Sequence, residues 1–178
     1  RYRPTRARIY KTKKSLANYS QNKRQIKKTM IVTANELINS GVANISTEID
    51  SAKIENAINN AEHFIIKDRL GDTLFAGFLS GTADEVLLNG GEYQGRYIVG
   101  LKRAICNLAV AFLLRTDVAA TIFGSVKKKD EYSENQSFDS ITDYGRFYFT
   151  LGETYLNEVC EVLNAPKKPY YNNYFFGF

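Results

Sequence analysis

The sequence predicts a mainly α-helical domain with one β-type segment and an extended tail at each end. Apolar residues recur at helical spacing through most of residues 30–163, and capping residues or glycines mark the ends of several of these runs. β-Branched residues cluster instead around Gly124, which favours a strand there. Both ends have biased compositions. With 178 residues, 44% of them hydrophobic, the chain is long enough for one domain with its own core.

The N-terminal arm, residues 1–29, is strongly basic. The chain has 24 Lys and Arg and 19 Asp and Glu; eleven of the basic residues and none of the acidic ones lie in the arm. The arm therefore carries +11 and residues 30–178 about −6. It has too few large apolar residues to fold alone, so we expect it to bind a partner surface. The predicted partner-binding residues are Arg1, Arg3, Arg6, Arg8, Lys11, Lys13, Lys14, Lys23, Arg24, Lys27 and Lys28.

The body, residues 30–163, is predicted to begin with a short helix over residues 34–39, which Thr33 caps and Gly41 ends. Asp50 can cap a second helix. Because apolar residues three or four positions apart share a helix face, the buried face of this helix is predicted to contain Ile54, Ile58, Ala61 and Ile65.

Glycines and a further cap divide the next part of the body. Gly71 is expected to end the second helix, and Asp72 to cap a short third helix that Gly81 ends. Further glycines then predict a polar loop or small hairpin around Tyr93 and Tyr97, too irregular to be a phosphate-binding loop. Residues 101–115 form the next predicted helix, which is apolar nearly all round and therefore central.

A strand is predicted after residue 117, followed by a polar hairpin tip or edge at residues 127–131. A long helix over residues 137–163 comes next, with an expected apolar face of Ile141, Tyr144, Tyr148, Leu151, Tyr155, Val159 and Val162.

The C-terminal tail, residues 164–178, ends in an aromatic segment. Its last nine residues include six aromatic ones, Tyr170, Tyr171, Tyr174, Phe175, Phe176 and Phe178. So much aromatic surface is expected to be covered by protein. It can fold back over its own core, or it can dock into a neighbouring subunit; we favour the second arrangement slightly.

Residue types that carry chemistry are few, so we expect no enzyme, no cofactor, no bound metal and no catalytic residue. His63 has no nearby Cys or second His in sequence, and no nucleophile, zinc or calcium motif is present. Cys106 and Cys160 lie in apolar helical patterns, which is typical of reduced core thiols. The longest apolar stretch, residues 104–114, is too short to span a membrane. Solvated faces or helix caps are expected for Glu55, Glu62, Asp68 and Asp72.

The order of several segments resembles a known family. These segments are the helix end Arg69-Leu70-Gly71-Asp72-Thr73-Leu74, then Gly100-Leu101-Lys102-Arg103-Ala104, then Phe123-Gly124-Ser125-Val126-Lys127 leading to Asp130-Glu131-Tyr132-Ser133, and Tyr155-Leu156 in the last helix. Together, over residues 30–163, they resemble the head-tail connector proteins of tailed bacteriophages, in particular those of crAss-like phages that infect Bacteroides.

The resemblance implies a helical bundle with a protruding β-hairpin or extended loop at about residues 118–132. It implies a structural virion protein, made in the host cytoplasm, that forms a homo-oligomeric ring at the portal vertex. Such rings are typically dodecameric, join the portal protein to further ring or tail proteins, and let DNA pass through the lumen without sequence-specific contact. The family has no catalytic residue. The loop residues expected to contact neighbouring subunits are Ile122, Phe123, Val126, Lys127, Lys128 and Lys129.

The alternative class is a nucleic-acid-binding protein. An arm with eleven positive charges and three tyrosines, Tyr2, Tyr10 and Tyr19, suits phosphate and base contacts as well as it suits an acidic protein surface. Against this alternative, the body carries no helix-turn-helix, zinc or RNA-recognition motif, and its negative charge would repel a polyanion. Oligomeric state distinguishes the two classes, because a connector forms or joins rings.

Overall fold

The computed structural model describes residues 30–116, 118–120, 125–128 and 138–165, with backbone only for 118–120, 125–128 and 138–141. The arm and the aromatic part of the tail lie outside the described residues. The helices are α1 (Ala34–Asn39), α2 (Ser51–Asn60), a π-helical segment (Ala61–Ile66), α3 (Lys67–Ser80), α4 (Glu85–Asn89), α5 (Leu101–Leu113) and α6 (Phe138–Val162). The strands are β1 (Asn44–Ile45), β2 (Gly91–Tyr93), β3 (Arg96–Ile98), β4 (Val118–Ala120) and β5 (Ser125–Lys128).

The predicted mainly helical fold with a β-hairpin is confirmed. Helix α5 is the centre of the body, and it packs against α2, α4, the π-helical segment and, most extensively, α6. Since α5 contacts other elements on most sides, nearly all of its side chains are buried. The largest fully buried side chains of the core are Phe149, Ile31, Leu37, Ile54, Ile58, Ile65, Ile66, Ile98, Leu101, Ile105, Leu108 and Leu113.

The close packing of α5 against α6 depends on Gly152. A Cβ atom at this position would lie 2.7 Å from Cγ of Leu108 and 3.1 Å from the carbonyl oxygen of Ala104. No other residue type fits such a separation without movement of its neighbours. Gly152 therefore allows the two helix backbones to approach each other.

The sheet contains a hairpin and a short third strand. Strands β4 and β5 pair antiparallel, with Val118 opposite Lys128 and Ala120 opposite Val126. Strand β1 pairs parallel with β5 through Asn44 opposite Ser125, so the order is β1-β5-β4. The predicted strand is thus confirmed. The predicted position of Lys127 and Lys128 at a hairpin tip or edge is wrong, because both lie within β5, which is the middle strand of the sheet.

A second hairpin forms from the predicted glycine-rich loop. Strands β2 and β3 pair antiparallel, and a two-residue connection, Gln94-Gly95, joins them. Both connecting residues have positive φ, 51° and 78°, which is the geometry of a type I′ turn. Arg96 donates to Glu161 at 2.9 Å, and the backbone N–H of Val99 donates to Glu158 at 3.2 Å. These two bonds fix the hairpin to the C-terminal half of α6.

Local capping signals place the first helices as predicted. Thr33 and Glu36 form a capping box at the start of α1, and Asp50 accepts the N–H of Ala52 at 2.9 Å at the start of α2. The predicted break between the second and third helices is present at Gly71. The non-helical residue is Gly71, with φ 79°, while Asp72 forms an ion pair with Lys67 at 3.0 Å. Gly71 adopts this conformation readily because it has no Cβ.

The buried face of α6 is rotated from the predicted one by about one residue. Phe149, Leu156, Val159 and Cys160 are buried, and Gly152 lies among them. Tyr148 and Val159 of the predicted face are also buried, and Ile141 has no described side chain. The other four predicted residues lie half-buried on the margin of the helix; they are Tyr144, Leu151, Tyr155 and Val162.

Candidate interaction surface

Most of the predicted contact residues lie outside the described residues. This holds for all eleven basic residues of the arm, for Ile122, Phe123 and Lys129 of the loop, and for the six aromatic residues of the tail. Val126, Lys127 and Lys128 belong to β5, and the structure gives only their backbone positions. For these three contact regions, the structure describes the neighbouring residues of the body to which each region is joined.

The arm joins the body at a buried acidic residue. Glu62 is 0% exposed, and one of its carboxyl oxygens accepts the backbone N–H groups of Ile31 at 2.8 Å and Val32 at 2.9 Å. Both Ile31 and Val32 are also fully buried, and Met30 before them is half-buried. Buried backbone N–H groups need acceptors. Ile31 and Val32 precede α1, so their N–H groups have no acceptor within that helix. The carboxyl group of Glu62 thus fixes the point at which the basic arm leaves the body.

The prediction that Glu62 is solvated or caps a helix is wrong, because the helix locally changes its period. Residues 61–66 form a π-helical segment between α2 and α3. Its wider turn places four of these six residues in the interior, so Glu62 and Ile66 are buried beside the predicted Ala61 and Ile65. The other three acids, Glu55, Asp68 and Asp72, are exposed as predicted.

A second buried polar group links α3 to α6. The guanidinium group of Arg69, only 2% exposed, donates to the side chain of Asn157. Burial raises the pKa of the neighbouring Cys160 thiol, while Arg69 opposes this shift. Glu153, one helical turn before Asn157, is fully buried as well. This cluster was not predicted from the sequence, because each of its members lies in an ordinary helical segment and belongs to no motif.

Three large apolar side chains in the described part of the body are exposed, Phe64, Tyr97 and Phe147, and Phe147 lines a cleft. Phe147 is 58% exposed, and its ring meets that of Tyr148 edge to face at 5.3 Å. The cleft has a volume of about 470 Å³, and its described lining is Asp143, Tyr144, Phe147 and Tyr148, all on the N-terminal half of α6. An open cleft lined by aromatic rings is suited to bind apolar side chains.

The histidine and the two cysteines of the described body contact aromatic or buried apolar residues. His63 is exposed and meets the ring of Phe75 edge to face at 5.6 Å. Cys106 and Cys160 are free and buried as predicted, and burial raises the pKa of Cys106 to about 11. Within the described ranges, no three or more His, Cys, Asp or Glu residues are grouped so that they could hold a metal ion. None of the described helices is long and apolar enough to cross a membrane.

Together these observations define a mainly helical domain with a small mixed sheet and an aromatic cleft on its long helix. Residues 66–176 match the model of a family of unknown function, DUF6712, and the chain belongs to this family. The matched range begins at the end of the π-helical segment and includes most of the aromatic tail, whereas the basic arm lies outside it. Neither the curated proteins nor the solved structures contain a significant match to the chain.

Proposed function

We propose that the chain is a structural virion subunit that forms a ring at the portal vertex of a tailed bacteriophage. The ring joins the capsid portal to the tail and extends the DNA channel. The observation that supports this most strongly is the distribution of charge along the chain: residues 30–178 carry about −6, and a basic arm of +11 joins them at a buried anchor. Such a body is suited to be completed by its neighbours.

In this proposal, the hydrogen bonds of Glu62 attach the arm firmly to the core of the body. A charged segment that is fixed at one end can transmit a pull to the body, because the bound Ile31 and Val32 are part of the core. On an acidic face of the portal, the eleven basic side chains would form charge-assisted contacts that also speed encounter. The arm then serves as a clamp, and DNA passes through the lumen without sequence-specific contact.

The same anchor makes a clean truncation available. Removal of residues 1–29 leaves Met30, Ile31 and Val32 in place, so the two hydrogen bonds to Glu62 and the core are retained. We would measure mass by light scattering for the full chain and for this truncated chain, each alone and with a candidate portal protein. The proposal predicts ring formation or portal capture by the full chain, and its loss on truncation.

A full-length control variant, with all eleven basic arm residues changed to Gln, separates the charge of the arm from its length. The charge-based clamp predicts that this variant fails like the truncated chain. A full chain that stays monomeric and ignores the portal would contradict the proposal.

The charge of the arm also supports a second candidate, a nucleic-acid-binding protein. In that case the full chain would bind DNA or RNA as a monomer, and its affinity would fall steeply with salt because the eleven basic residues release counterions from phosphates. Filter binding at two salt concentrations, on the full and truncated chains, tests this. Strong arm-dependent binding by a monomer that does not join the portal would favour the second candidate over the first.

A further inference from the structure

We infer that the aromatic cleft at Phe147 is the binding site for the C-terminal aromatic segment, residues 170–178, of a second copy of the chain. This inference rests on the proposed assembly into a ring, and it adds the contact between subunits.

The cleft and the segment match in chemistry and in extent. The described lining of the cleft includes Tyr144, Phe147 and Tyr148, and the half-buried Leu151 and Tyr155 follow on the margin of α6. From residue 144 to residue 155 this margin is about 17 Å long at 1.5 Å per helical residue. An extended segment covers this length with about five residues, fewer than the nine of the aromatic segment. Rings stacked edge to face over such a surface add to the burial of apolar area.

The root of the tail is held far from the cleft of its own chain. Phe147 and Ala165 are 18 positions apart, most of them within α6, which corresponds to about 27 Å. At the end of α6, Asn164 has φ 51° and the N–H of Ala165 donates to the carbonyl of Cys160 at 2.9 Å, which turns the chain out of the helix. The tail therefore begins at a fixed place at the end of α6 opposite the cleft.

The first residues of the tail favour a neighbouring copy over the same chain. Pro166 and Pro169 bracket Lys167-Lys168, and proline imposes an extended conformation on itself and on the residue before it. An extended spacer of these four residues spans about 12 Å at 3.1 Å per residue. Because proline restricts both ends of this spacer, a sharp return along α6 into the chain's own cleft is disfavoured, whereas docking in a neighbouring copy needs no such return. A tail in the cleft of the next copy is a heterologous contact, the kind that closes rings.

Complementation between two full-length variants tests the inference. The cleft variant is Phe147→Ser, which removes an exposed ring and should leave the fold intact. The tail variant carries Tyr174→Ser, Phe175→Ser and Phe176→Ser. The control is Phe64→Ser, since Phe64 is similarly exposed, 62%, but lies outside the cleft. Circular dichroism melts establish that all variants are folded, and mass is measured by analytical ultracentrifugation, with the portal present if the parent chain requires it.

The cleft variant and the tail variant should each lose the assembly of the parent chain, while the Phe64→Ser chain should keep it. An equimolar mixture of the two defective variants should form a species of two chains, because one intact tail and one intact cleft remain and no further copy can be added. Defective variants that stay separate when mixed would overturn the inference in favour of a tail bound within its own chain.

The outcomes also separate this inference from the proposed function. Rings that form normally with the Phe147→Ser chain would overturn the tail contact and leave the proposed function intact. A parent chain that stays monomeric both alone and with the portal would overturn the proposed function, and the contact between copies with it.

Discussion

Glu62 accepts the backbone N–H of Ile31 at 2.8 Å across 31 positions of the sequence, inside the core. The same oxygen accepts the N–H of Val32, so one side chain satisfies two buried donors. The base of the arm is therefore attached to the body by hydrogen bonds as well as by apolar packing.

Replacement of Glu62 should destabilise the body, and the loss should be larger when the new side chain cannot accept the N–H groups of Ile31 and Val32. Glu62→Ala leaves two buried N–H groups without this acceptor and should lower the free energy of unfolding by about 2–4 kcal/mol. Glu62→Gln keeps an oxygen that can accept both bonds and should cost less. Urea unfolding measures both changes. The exposed Glu55 provides the control: Glu55→Ala should change the free energy by less than about 0.5 kcal/mol. Equal stability of the Glu62→Ala chain and the parent would contradict the anchor.

Substitution of Gly152 should be unfavourable despite the higher helix propensity of alanine. The added Cβ would meet Leu108 at 2.7 Å, so Gly152→Ala should cost about 1–3 kcal/mol through overpacking. Gly77 in α3 is the matched control, because a Cβ there meets only the hydroxyl oxygen of Thr82 at 3.6 Å. Gly77→Ala should therefore be neutral or stabilise by up to about 1 kcal/mol. Thermal unfolding measures the change in stability of each variant. Equal changes for Gly152→Ala and Gly77→Ala would refute the close packing of α5 against α6 at Gly152.

The ion pair between Glu36 and Lys102 should make stability depend on acidic pH. Burial raises the pKa of Glu36, but hydrogen bonds from Lys102 and Thr33 outweigh this effect and lower the pKa from 4.5 to about 2. A carboxyl group with a lowered pKa stabilises the fold fully above pH 4.5, and this stabilisation is lost as the pH falls towards 2.

Lys102→Met tests this dependence while it keeps the capping box of Thr33 and Glu36. At neutral pH we expect a loss of about 0.2–1 kcal/mol, the range for exposed pairs. The difference from the parent should shrink between pH 4.5 and 2, and carbon NMR of the carboxyl group should show a higher pKa of Glu36 in the variant. A pKa of Glu36 that does not change on loss of Lys102 would show that the pair is not responsible.

The two cysteines should react slowly with alkylating reagents in the folded protein. Burial raises the pKa of Cys106 to about 11 and also raises that of Cys160. At pH 8 only about one Cys106 thiol in a thousand is then ionised, and the thiolate is the reactive form. Mass spectrometry after iodoacetamide treatment should find both thiols unmodified in buffer and modified in urea. Rapid labelling of Cys106 in buffer would contradict its burial.

Local sequence signals were sufficient for much of the fold. Thr33 and Asp50 cap their helices through residues two or three positions away, and Gly71 and Gly81 interrupt or end helices by their own backbone conformation. The short helix α4 was not predicted, although its N-cap Asp84 and the buried Leu87 could have indicated it. These features are local, so the sequence around each of them carries the relevant information.

Features that depend on distant partners could not be predicted. Strand β1 is only two residues long and pairs with Ser125 and Val126, about 80 positions later in the chain. Burial of Glu62 requires both the π-helical turn and the donors of Ile31 and Val32. The rotation of α6 depends on the fit of Gly152 to Leu108, which no periodicity of either helix encodes. The cleft combines the exposed Phe147 with the half-buried Tyr144 of the predicted core face, so the candidate site was largely beyond the sequence.

Helix α5 packs most extensively against α6, which is synthesised after it. Leu101, Ile105 and Leu108 emerge from the ribosome well before Phe149 and Leu156. Until α6 has been translated, the nascent chain displays a nearly all-apolar helix without its main cover, and such surface promotes aggregation. Each new copy therefore passes through an interval in which a chaperone can protect it, and overexpression without spare chaperone capacity should yield inclusion bodies.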